Sequence, residues 1–257
     1  MKKILFVISD YSDYRKKIFN DIISPRNKEF CNLHNYKYIE ITNSRNLPKF
    51  RNHPSWLKYY IIRELVNENK LSNDDVITYI DADQYFVSIE SDLCGEKSLS
   101  LSIDSGNTFC HSWNSLRIND WTKKHVNNIL DDNLYNREIN NYTKHPAFPN
   151  HSPSSFFASH MEQAAFYALC GIKRHSFESF WELSNNGYHS DITDNLKYSI
   201  DEINQHIQLF PTEYNVTEWV SESACEFNIN KITDKSSVKI RHFAGGQSWT
   251  NIKNWTK

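Results

Sequence analysis

The sequence predicts an α/β fold in which a mixed, mostly parallel central sheet is flanked by helices. Two observations support this prediction: continuous apolar runs alternate with stretches of helical periodicity, and polar residues cluster where the runs end. Lys3 to Ser9 is the first such run, and further strands are expected at Tyr36 to Ile41 and at Asp75 to Ile80. Continuous apolar runs are typical of parallel strands that are covered on both faces. The order strand, helix, strand, helix, strand therefore indicates a doubly wound sheet.

Two helices are expected between these strands. The first has apolar residues at helical spacing, and Pro25 is expected to break or kink it. The second begins at Pro54, because the fixed φ angle and missing N–H of proline suit the first position of a helix. Its apolar residues recur at helical spacing, namely Trp56, Tyr59, Ile62 and Val66.

The second half of the sequence is less regular. Further strands are expected at Leu99 to Ile103, Ser115 to Ile118 and Val238 to Phe243. Helices are expected at Asp120 to Leu130, with Asn119 or Asp120 as the cap, and at Met161 to Cys170, which Gly171 would end. The polar stretch from Leu134 to Pro153 is expected to be a loop or lid. No break in composition divides the chain, so one domain is expected to span 1–257.

The composition argues against several classes of protein. The chain has 257 residues, and 29 basic against 31 acidic side chains leave no general attraction to nucleic acid. Its 5 cysteines are scattered and form no CxxC pair, which argues against structural zinc and indicates a reducing compartment. The apolar run after Met1 is too short for a signal peptide and ends at Asp10 and Asp13. We therefore expect a cytoplasmic chain without a transmembrane segment, and peripheral membrane association stays open.

Asp81-Ala82-Asp83 is the most informative string, and it directly follows the apolar run that ends at Ile80. Residues two apart in extended backbone point to the same side, so the two carboxylates converge at the end of a strand. Unpaired, they would repel each other, and a divalent cation would remove that conflict. Oxygen ligands favour Mg2+ or Mn2+, whose open positions can bind a diphosphate. Two solvated aspartates in a turn are the alternative interpretation.

A second group of polar residues follows the first strand. It consists of Ser9, Asp10 and Tyr11. Ligands of doubly wound sheets bind beyond the carboxyl ends of the strands, so these residues are expected on the same side of the sheet as the two aspartates.

His242 closes the late strand and precedes Gly245 and Gly246. A neutral imidazole is a suitable third ligand for Mn2+, and paired glycines let backbone amides approach a diphosphate. The string is weak alone and becomes more specific together with the two aspartates.

Two further candidates have competing interpretations. Lys58 lies near the start of the helix before the aspartates, where it could neutralise a phosphate, although an ordinary exposed lysine is the simpler interpretation. Glu162 and Gln163 open a later helix and could bind hydroxyl groups of a sugar, whereas a carboxylate favoured by the helix dipole explains Glu162 equally well.

These strings, in this order, resemble GT-A-fold glycosyltransferases of the family that includes yeast α-galactosyl- and mannosyltransferases and plant xyloglucan xylosyltransferases. The resemblance spans nearly the whole chain. It rests on Asn27 to Cys31, His34 to Tyr36, Arg51 to Lys58, Tyr79 to Phe86, Arg117 with Trp121, Glu162-Gln163 and His242 to Gly245. It implies a Rossmann-like GT-A fold with a nucleotide-binding half at 1–90 and a half for sugar and acceptor at 91–257.

The resemblance also implies the reaction and its participants. A hexose or pentose would pass from a UDP- or GDP-sugar to a glycan, a lipid-linked glycan or a protein, with retention of anomeric configuration. Mn2+ or Mg2+ would be held by Asp81, Asp83 and His242. The relatives with a Golgi membrane anchor are eukaryotic, and the lack of one here suggests a bacterial or viral origin.

Further site residues follow from the same resemblance. Ser9, Asp10 and Tyr11 would contact the nucleotide, with Asp81 near its ribose, and Lys58 would lie close to donor phosphates. The expected catalytic residues are Asp81, Asp83, Glu162 and Gln163. The diphosphate would be bound by Gly245, Gly246 and Lys253. Some relatives bind it with a Lys-Pro-Trp string, which is replaced here by Gln247-Ser248-Trp249, and Lys253 is the possible substitute for that lysine.

Two other functions stay open at the level of sequence. A phosphatase of the haloacid-dehalogenase kind also uses a strand-end DxD, but that family favours Thr or Val where Tyr85 stands and places the pair on its first strand. A non-catalytic protein that binds sugar nucleotides on the same fold would show the same residues. Turnover of the donor distinguishes it from an enzyme.

Overall fold

The computed structural model describes residues 1–44, 47, 54–103, 109–134, 162–163, 165–166, 169–170, 198–216, 235–243, 249, 252 and 256. The chain divides into two compact units. The first unit consists of Met1–Leu47, Asn73–Arg117 and Ile207–Lys257, and the second of Pro48–Ser72 and Ile118–His206. The single domain with halves at 1–90 and 91–257 stays a prediction.

The first unit contains a six-stranded sheet and a separate pair of strands. The strands are β1 (Lys3–Ile8), β2 (Lys37–Ile41), β3 (Val76–Ile80), β4 (Gln84–Phe86), β5 (Leu99–Ile103), β6 (Phe109–Arg117), β7 (Ile207–Phe210) and β8 (Ile240–His242). The large sheet has the order β2-β1-β3-β6-β5-β7, and β4 pairs with β8. The pairs β1–β2, β1–β3 and β5–β7 are parallel, while β6 runs antiparallel to both of its neighbours. The predicted α/β fold with a mixed, mostly parallel sheet is confirmed.

The core of this unit explains why β1 and β3 lie side by side in the sheet. Leu5 and Val7 of β1 and Val76 and Ile80 of β3 are fully buried in one hydrophobic cluster. Strands of this kind need cover on both faces, which matches the absence of polar alternation in their sequences. Their carboxyl ends therefore lie at one edge of a rigid sheet, where the chain next supplies its aspartates.

The segment after β1 is helical from Tyr14 to His34, and Pro25 does not end it. The structure has α1 (Tyr14–Ile18), a π-helical turn (Phe19–Ile23) and α2 (Ser24–His34), with Pro25 in the first turn of α2. Proline is tolerated in a first turn because its nitrogen needs no partner there. Instead of a break, the helix changes from a π-helical turn to the α-helix α2 just before Pro25. Phe30 of α2 then stacks on Phe86 of β4 with centroids 4.3 Å apart.

Several strands differ from the sequence-based expectation. The expected strand at Ser115 to Ile118 is the last part of β6, which begins six residues earlier at Phe109, and the strands β4 and β7 were not expected. In β6 the buried side chains include His111, Ser112 and Asn114, so an apolar pattern does not mark the strand. Short strands such as β4 and β8 depend on pairing with distant residues, which local periodicity does not record.

The second unit is described through three helices. They are α3 (Leu57–Asn67), which follows a 3-10 turn at Pro54–Trp56, α4 (Asp120–Ile129) and α5 (Ile200–His206). Asn119 caps α4 as expected, and its side chain accepts a hydrogen bond from the backbone N–H of Thr122. Residues 162–163, 165–166 and 169–170 are also helical. Over the described part of the chain, no helix combines the length and apolar character needed to cross a membrane.

An aromatic stack organises the described core of this second unit. The Trp121 ring stacks on His206, with centroids 4.8 Å apart, and on His125, at 5.1 Å. Nδ1 of His125 is 2.8 Å from the Tyr198 hydroxyl. Burial lowers the pKa of His125 to about 3, because the charged imidazolium would lose its hydration.

The buried His125 should make the protein less stable in acid. Between pH 6.5 and about 3 the unfolded chain protonates this histidine while the folded chain does not, so stability falls as the pH falls through that window. His125→Gln should remove up to ~1.4 kcal/mol per pH unit from the slope of unfolding free energy against pH. Urea unfolding at a series of pH values measures the slope.

The matched control is His206→Gln, which replaces a partly exposed ring that also stacks on Trp121. It should change the slope less, because this ring retains part of its hydration. A slope unchanged by His125→Gln would show that His125 is not buried in its neutral form.

Candidate metal site

The two aspartates lie in the turn between β3 and β4. The backbone N–H of Asp81 donates to the carbonyl of Ser112 on β6 at 2.7 Å, which continues the β3–β6 pairing past the end of β3. The backbone N–H of Gln84 then donates to the carbonyl of Asp81 at 3.1 Å and closes the turn. Asp81 and Asp83 are thereby held at the carboxyl end of a buried strand, as the sequence predicts.

His242 reaches the aspartates through the short pairing of β4 with β8. Gln84 lies opposite His242 in this antiparallel pair, and the backbone N–H of Phe243 donates to the carbonyl of Asp83 at 2.8 Å. The backbone N–H of His242 donates to the carbonyl of Val216, also at 2.8 Å. The late strand is thus fixed on two sides beside the turn that bears the carboxylates.

The three side chains converge. One ligand atom each from Asp81, Asp83 and His242 can be chosen so that all three lie within 4.8 Å of one another. Nε2 of His242 is 3.3 Å from Oδ1 of Asp83, and the Tyr79 hydroxyl donates to Oδ1 of Asp81 at 2.5 Å. Burial opposes protonation of His242, but the Asp83 carboxylate outweighs burial and raises the pKa of His242 well above its usual value. The two carboxylates therefore attract positive charge to this imidazole, and a divalent cation would replace the proton, because histidine binds a metal in its neutral form.

This donor set fits a small divalent cation. Two carboxylates and one imidazole match the oxygen and nitrogen ligands that Mn2+ accepts, and Mg2+ is compatible with the carboxylates. Ligand atoms about 2.1 Å from such an ion lie at most about 4.2 Å apart, so small side-chain rotations suffice. All three residues are partly exposed, which leaves room for a further ligand on the ion.

Tyr11 lies in the electrostatic field of the same carboxylates. Burial raises the pKa of its phenol, and the charges of Asp83 and Asp81 raise it further. The ring meets Trp249 edge to face with centroids 5.1 Å apart, and the Arg15 guanidinium lies 4.8 Å from its centre. The phenol is therefore protonated at neutral pH and available as a hydrogen-bond donor.

The other two residues after β1 are held by hydrogen bonds. The Ser9 hydroxyl donates to Glu40 at 2.9 Å, and Asp10 accepts from the Ser44 hydroxyl at 2.9 Å. Glu40 lies near the carboxyl end of β2, next to β1. The polar groups at these strand ends are thus ordered within the first unit.

Lys58 belongs to the second unit, where it forms an ion pair with Glu162. Nζ of Lys58 is 3.0 Å from Oε1 of Glu162, and only 3% and 9% of the two side chains are exposed. An ordinary exposed lysine, the simpler interpretation of the sequence, is wrong here. Gln163 is partly buried beside Glu162. The predicted phosphate and substrate contacts of these three residues stay predictions.

Three predicted site residues, Gly245, Gly246 and Lys253, lie outside the described residues. Two residues at the site were not predicted, and they differ in what the sequence shows. Tyr79 lies two positions before Asp81 in extended backbone, so period-two spacing places both side chains on one side. Trp249 has no local signal that would connect it with Tyr11.

Comparison with known proteins finds similar solved structures and no similar sequence. No protein-family model and no curated protein sequence matches the chain. The chain is similar to a solved glycosyltransferase involved in glycosylation of the major capsid of PBCV-1, with 9% identity, a TM-score of 0.48 and 98% of each chain covered. It is similar to the galactosyltransferase LgtC in complex with donor and acceptor sugar analogues, with 11% identity, a TM-score of 0.40 and coverage of 99% and 95%. The glycosyltransferase GlyE of Streptococcus pneumoniae TIGR4 has 11% identity, a TM-score of 0.41 and coverage of 99% and 61%.

Mn2+ should stabilise the wild-type protein and should fail to stabilise Asp83→Asn, because the amide removes a charged ligand. At a concentration of 100 times Kd, binding to the folded state alone stabilises by about 2.7 kcal/mol. Melting temperatures in Mn2+ and in EDTA measure the effect. Asp21→Asn neutralises an exposed carboxylate that pairs with Lys17 and should keep the full shift. An equal shift in Asp83→Asn would exclude Asp83 as a ligand.

Breaking the Lys58–Glu162 pair should destabilise the protein more than removing both charges. Either Lys58→Met or Glu162→Gln alone leaves a buried charge that has lost this ion-pair partner, which costs up to about 3 to 5 kcal/mol. The double variant should cost less than the sum of the single variants. Urea unfolding of the four proteins gives the coupling energy, and the exposed Lys17–Asp21 pair should show weaker coupling in the same cycle. Additive costs for Lys58 and Glu162 would contradict a direct interaction.

Proposed function

We propose that the protein is a metal-dependent glycosyltransferase of the GT-A type. It transfers a hexose or pentose from a UDP- or GDP-sugar to a glycan, a lipid-linked glycan or a protein. The observation that supports this function most strongly is the convergence of Asp81, Asp83 and His242 at the end of β3. The charges of the two aspartates also act on Tyr11. It would be related to the family that includes yeast α-galactosyl- and mannosyltransferases and plant xyloglucan xylosyltransferases.

The metal site would bind the charged part of the donor. Asp81, Asp83 and His242 would hold Mn2+ or Mg2+, and the bound ion would offset the negative charge of the departing diphosphate. Two carboxylates alone would repel a diphosphate, so this site needs a cation before a nucleotide sugar can approach. The metal and the donor are therefore expected to bind together.

The residues after β1 would bind the nucleoside. Ligands of doubly wound sheets bind beyond the carboxyl ends of the strands, and Ser9, Asp10 and Tyr11 directly follow β1 there. The aromatic ring of Tyr11 offers a flat face, and its protonated phenol offers a donor. Polar groups on Asp10 and Ser9 would contact the base or the ribose, and Asp81, whose charge acts on Tyr11, would also lie near the ribose.

Other residues would bind the diphosphate and the sugar of the donor. Backbone amides at Gly245 and Gly246 and the ammonium of Lys253 would contact the phosphates. Gln163 would bind hydroxyl groups of the sugar or acceptor. Glu162 would be a catalytic residue and Lys58 would bind a donor phosphate, and the two side chains form an ion pair in the protein.

The transfer step can proceed without a protein nucleophile. The bond between the anomeric carbon and the diphosphate oxygen breaks while the acceptor oxygen bonds to the same carbon on the same face. The acceptor proton passes to the departing diphosphate, which leaves as nucleoside diphosphate. The anomeric configuration is retained. Charge stabilisation of the leaving group is the main contribution of the protein to this step.

Nucleotide release from a panel of sugar nucleotides tests this function. UDP-, GDP-, CMP- and dTDP-sugars are each incubated with a mixture of glycan acceptors in Mn2+ or in EDTA. One nucleotide family should be turned over in Mn2+ alone, and Asp83→Asn should lose at least about 100-fold in rate, which corresponds to about 2.7 kcal/mol. Asp21→Asn should retain the wild-type rate.

The other outcomes identify other functions. If the protein binds a sugar nucleotide in the presence of metal but releases no nucleotide with any acceptor, it is a non-catalytic binding protein. Release of inorganic phosphate from phosphomonoesters, with intact sugar nucleotides, would show a phosphatase. Either result would overturn the proposed transferase.

A further inference from the structure

A buried network of polar side chains lies beside the candidate metal site. Gln84, Ser112 and Asn215 are all buried, and the first and last are fully so. Nε2 of Gln84 donates to Oγ of Ser112 at 2.7 Å and to Oδ1 of Asn215 at 3.1 Å. The Ser112 hydroxyl also donates to Oδ1 of Asn215, at 3.0 Å. One carboxamide therefore joins three separate stretches of the chain.

These three stretches also hold the proposed metal ligands. Gln84 directly follows Asp83 and is paired with His242 across β4 and β8. The carbonyl of Ser112 accepts the backbone N–H of Asp81 at 2.7 Å. Asn215 directly precedes Val216, whose carbonyl accepts the backbone N–H of His242. Each ligand-bearing segment is thus joined to the network by one covalent step, by one backbone hydrogen bond, or, for His242, by one of each.

We infer that Gln84 is a positioning residue for the metal ligands. Its carboxamide fixes β6 and the segment before Val216 relative to the Asp81–Asp83 turn, and so fixes the distance between the aspartates and His242. This inference rests on the proposed function, because it assumes that the three side chains bind a cation. Groups that orient the ligands of a metal typically change its affinity by 10- to 100-fold.

Stability alone does not account for this network. Oε1 of Gln84 and Nδ2 of Asn215 are buried and make no hydrogen bond to any residue in the part of the chain that the structure describes. Buried polar atoms without partners reduce stability. An apolar side chain of similar volume would avoid that cost at Gln84. Local rules are broken most often where function requires it, and here the break is adjacent to Asp83.

Gln84→Met separates positioning from a purely structural role. Methionine has a similar volume and removes both hydrogen bonds of the carboxamide and its unpaired oxygen. We expect Mn2+ affinity, measured by calorimetry on the full chain, to fall at least about ten-fold. We expect the melting temperature in EDTA to stay the same or rise. Unchanged Mn2+ affinity would overturn the inference, and so would a loss of affinity accompanied by a matching loss of metal-free stability.

Ser112→Ala provides a second test that does not depend on the folding of Gln84→Met. It removes one of the two acceptors of Gln84 and should weaken Mn2+ binding by a smaller factor. The matched control is Ser115→Ala on the same strand, which removes the buried hydroxyl that accepts from Thr78 at 2.8 Å. Ser115→Ala should leave Mn2+ affinity at the wild-type value. Equal affinity in both serine variants would contradict the inference.

Failure of this inference can be distinguished from failure of the proposed function. If the wild-type protein binds no Mn2+, the metal site is excluded, and with it both the positioning role of Gln84 and the metal-dependent transferase. A wild-type protein that binds Mn2+ and turns over no sugar nucleotide removes the transferase only. If the wild-type protein binds Mn2+ and Gln84→Met binds it with the same affinity, the positioning role is excluded and the proposed transferase activity is not affected.

Discussion

The pairing of β4 with β8 is the contact on which the candidate site depends. Without it the aspartates after β3 would be two carboxylates at a strand end with no third ligand. The pairing is short, and it joins parts of the sequence that are far apart. Its position depends on the large sheet, because β3 and β6 hold the turn that β4 extends.

The charge balance of the site links this geometry to chemistry. Asp81 and Asp83 are kept close although they repel each other, and the protein offsets the repulsion with a hydroxyl from Tyr79 and the imidazole of His242. Those groups leave the side chains partly exposed, so a cation and a phosphate can still reach them. Tyr11 follows β1, and its pKa is raised by burial and then by the charges of Asp83 and Asp81.

Features set by local sequence were predictable, and features set by distant pairing were not. The buried strands β1 and β3 follow from their apolar runs, and the convergence of Asp81 with Asp83 follows from period-two spacing. The extent of β6 was missed because its buried residues include His111, Ser112 and Asn114, which resemble a surface segment. Nothing in the sequence joins Gln84 with Asn215, since that contact depends on how the strands are ordered.

The second unit shows the same limit. Periodicity predicts α3 and places Lys58 on it, but the partner of Lys58 lies more than a hundred residues later, at Glu162. A lysine that is expected on the surface is thus buried in an ion pair. The capping residue Asn119, by contrast, was predictable, because a cap is a contact over three residues.

The most direct measurement of the metal site is anomalous X-ray scattering from crystals grown with Mn2+ and a nucleoside diphosphate. A manganese peak within coordination distance of Asp81, Asp83 and His242, with the diphosphate bound to the same ion, is the predicted result. A peak at other residues would contradict a donor site at the carboxyl edge of this sheet. Diphosphate bound at that edge without manganese would contradict it equally.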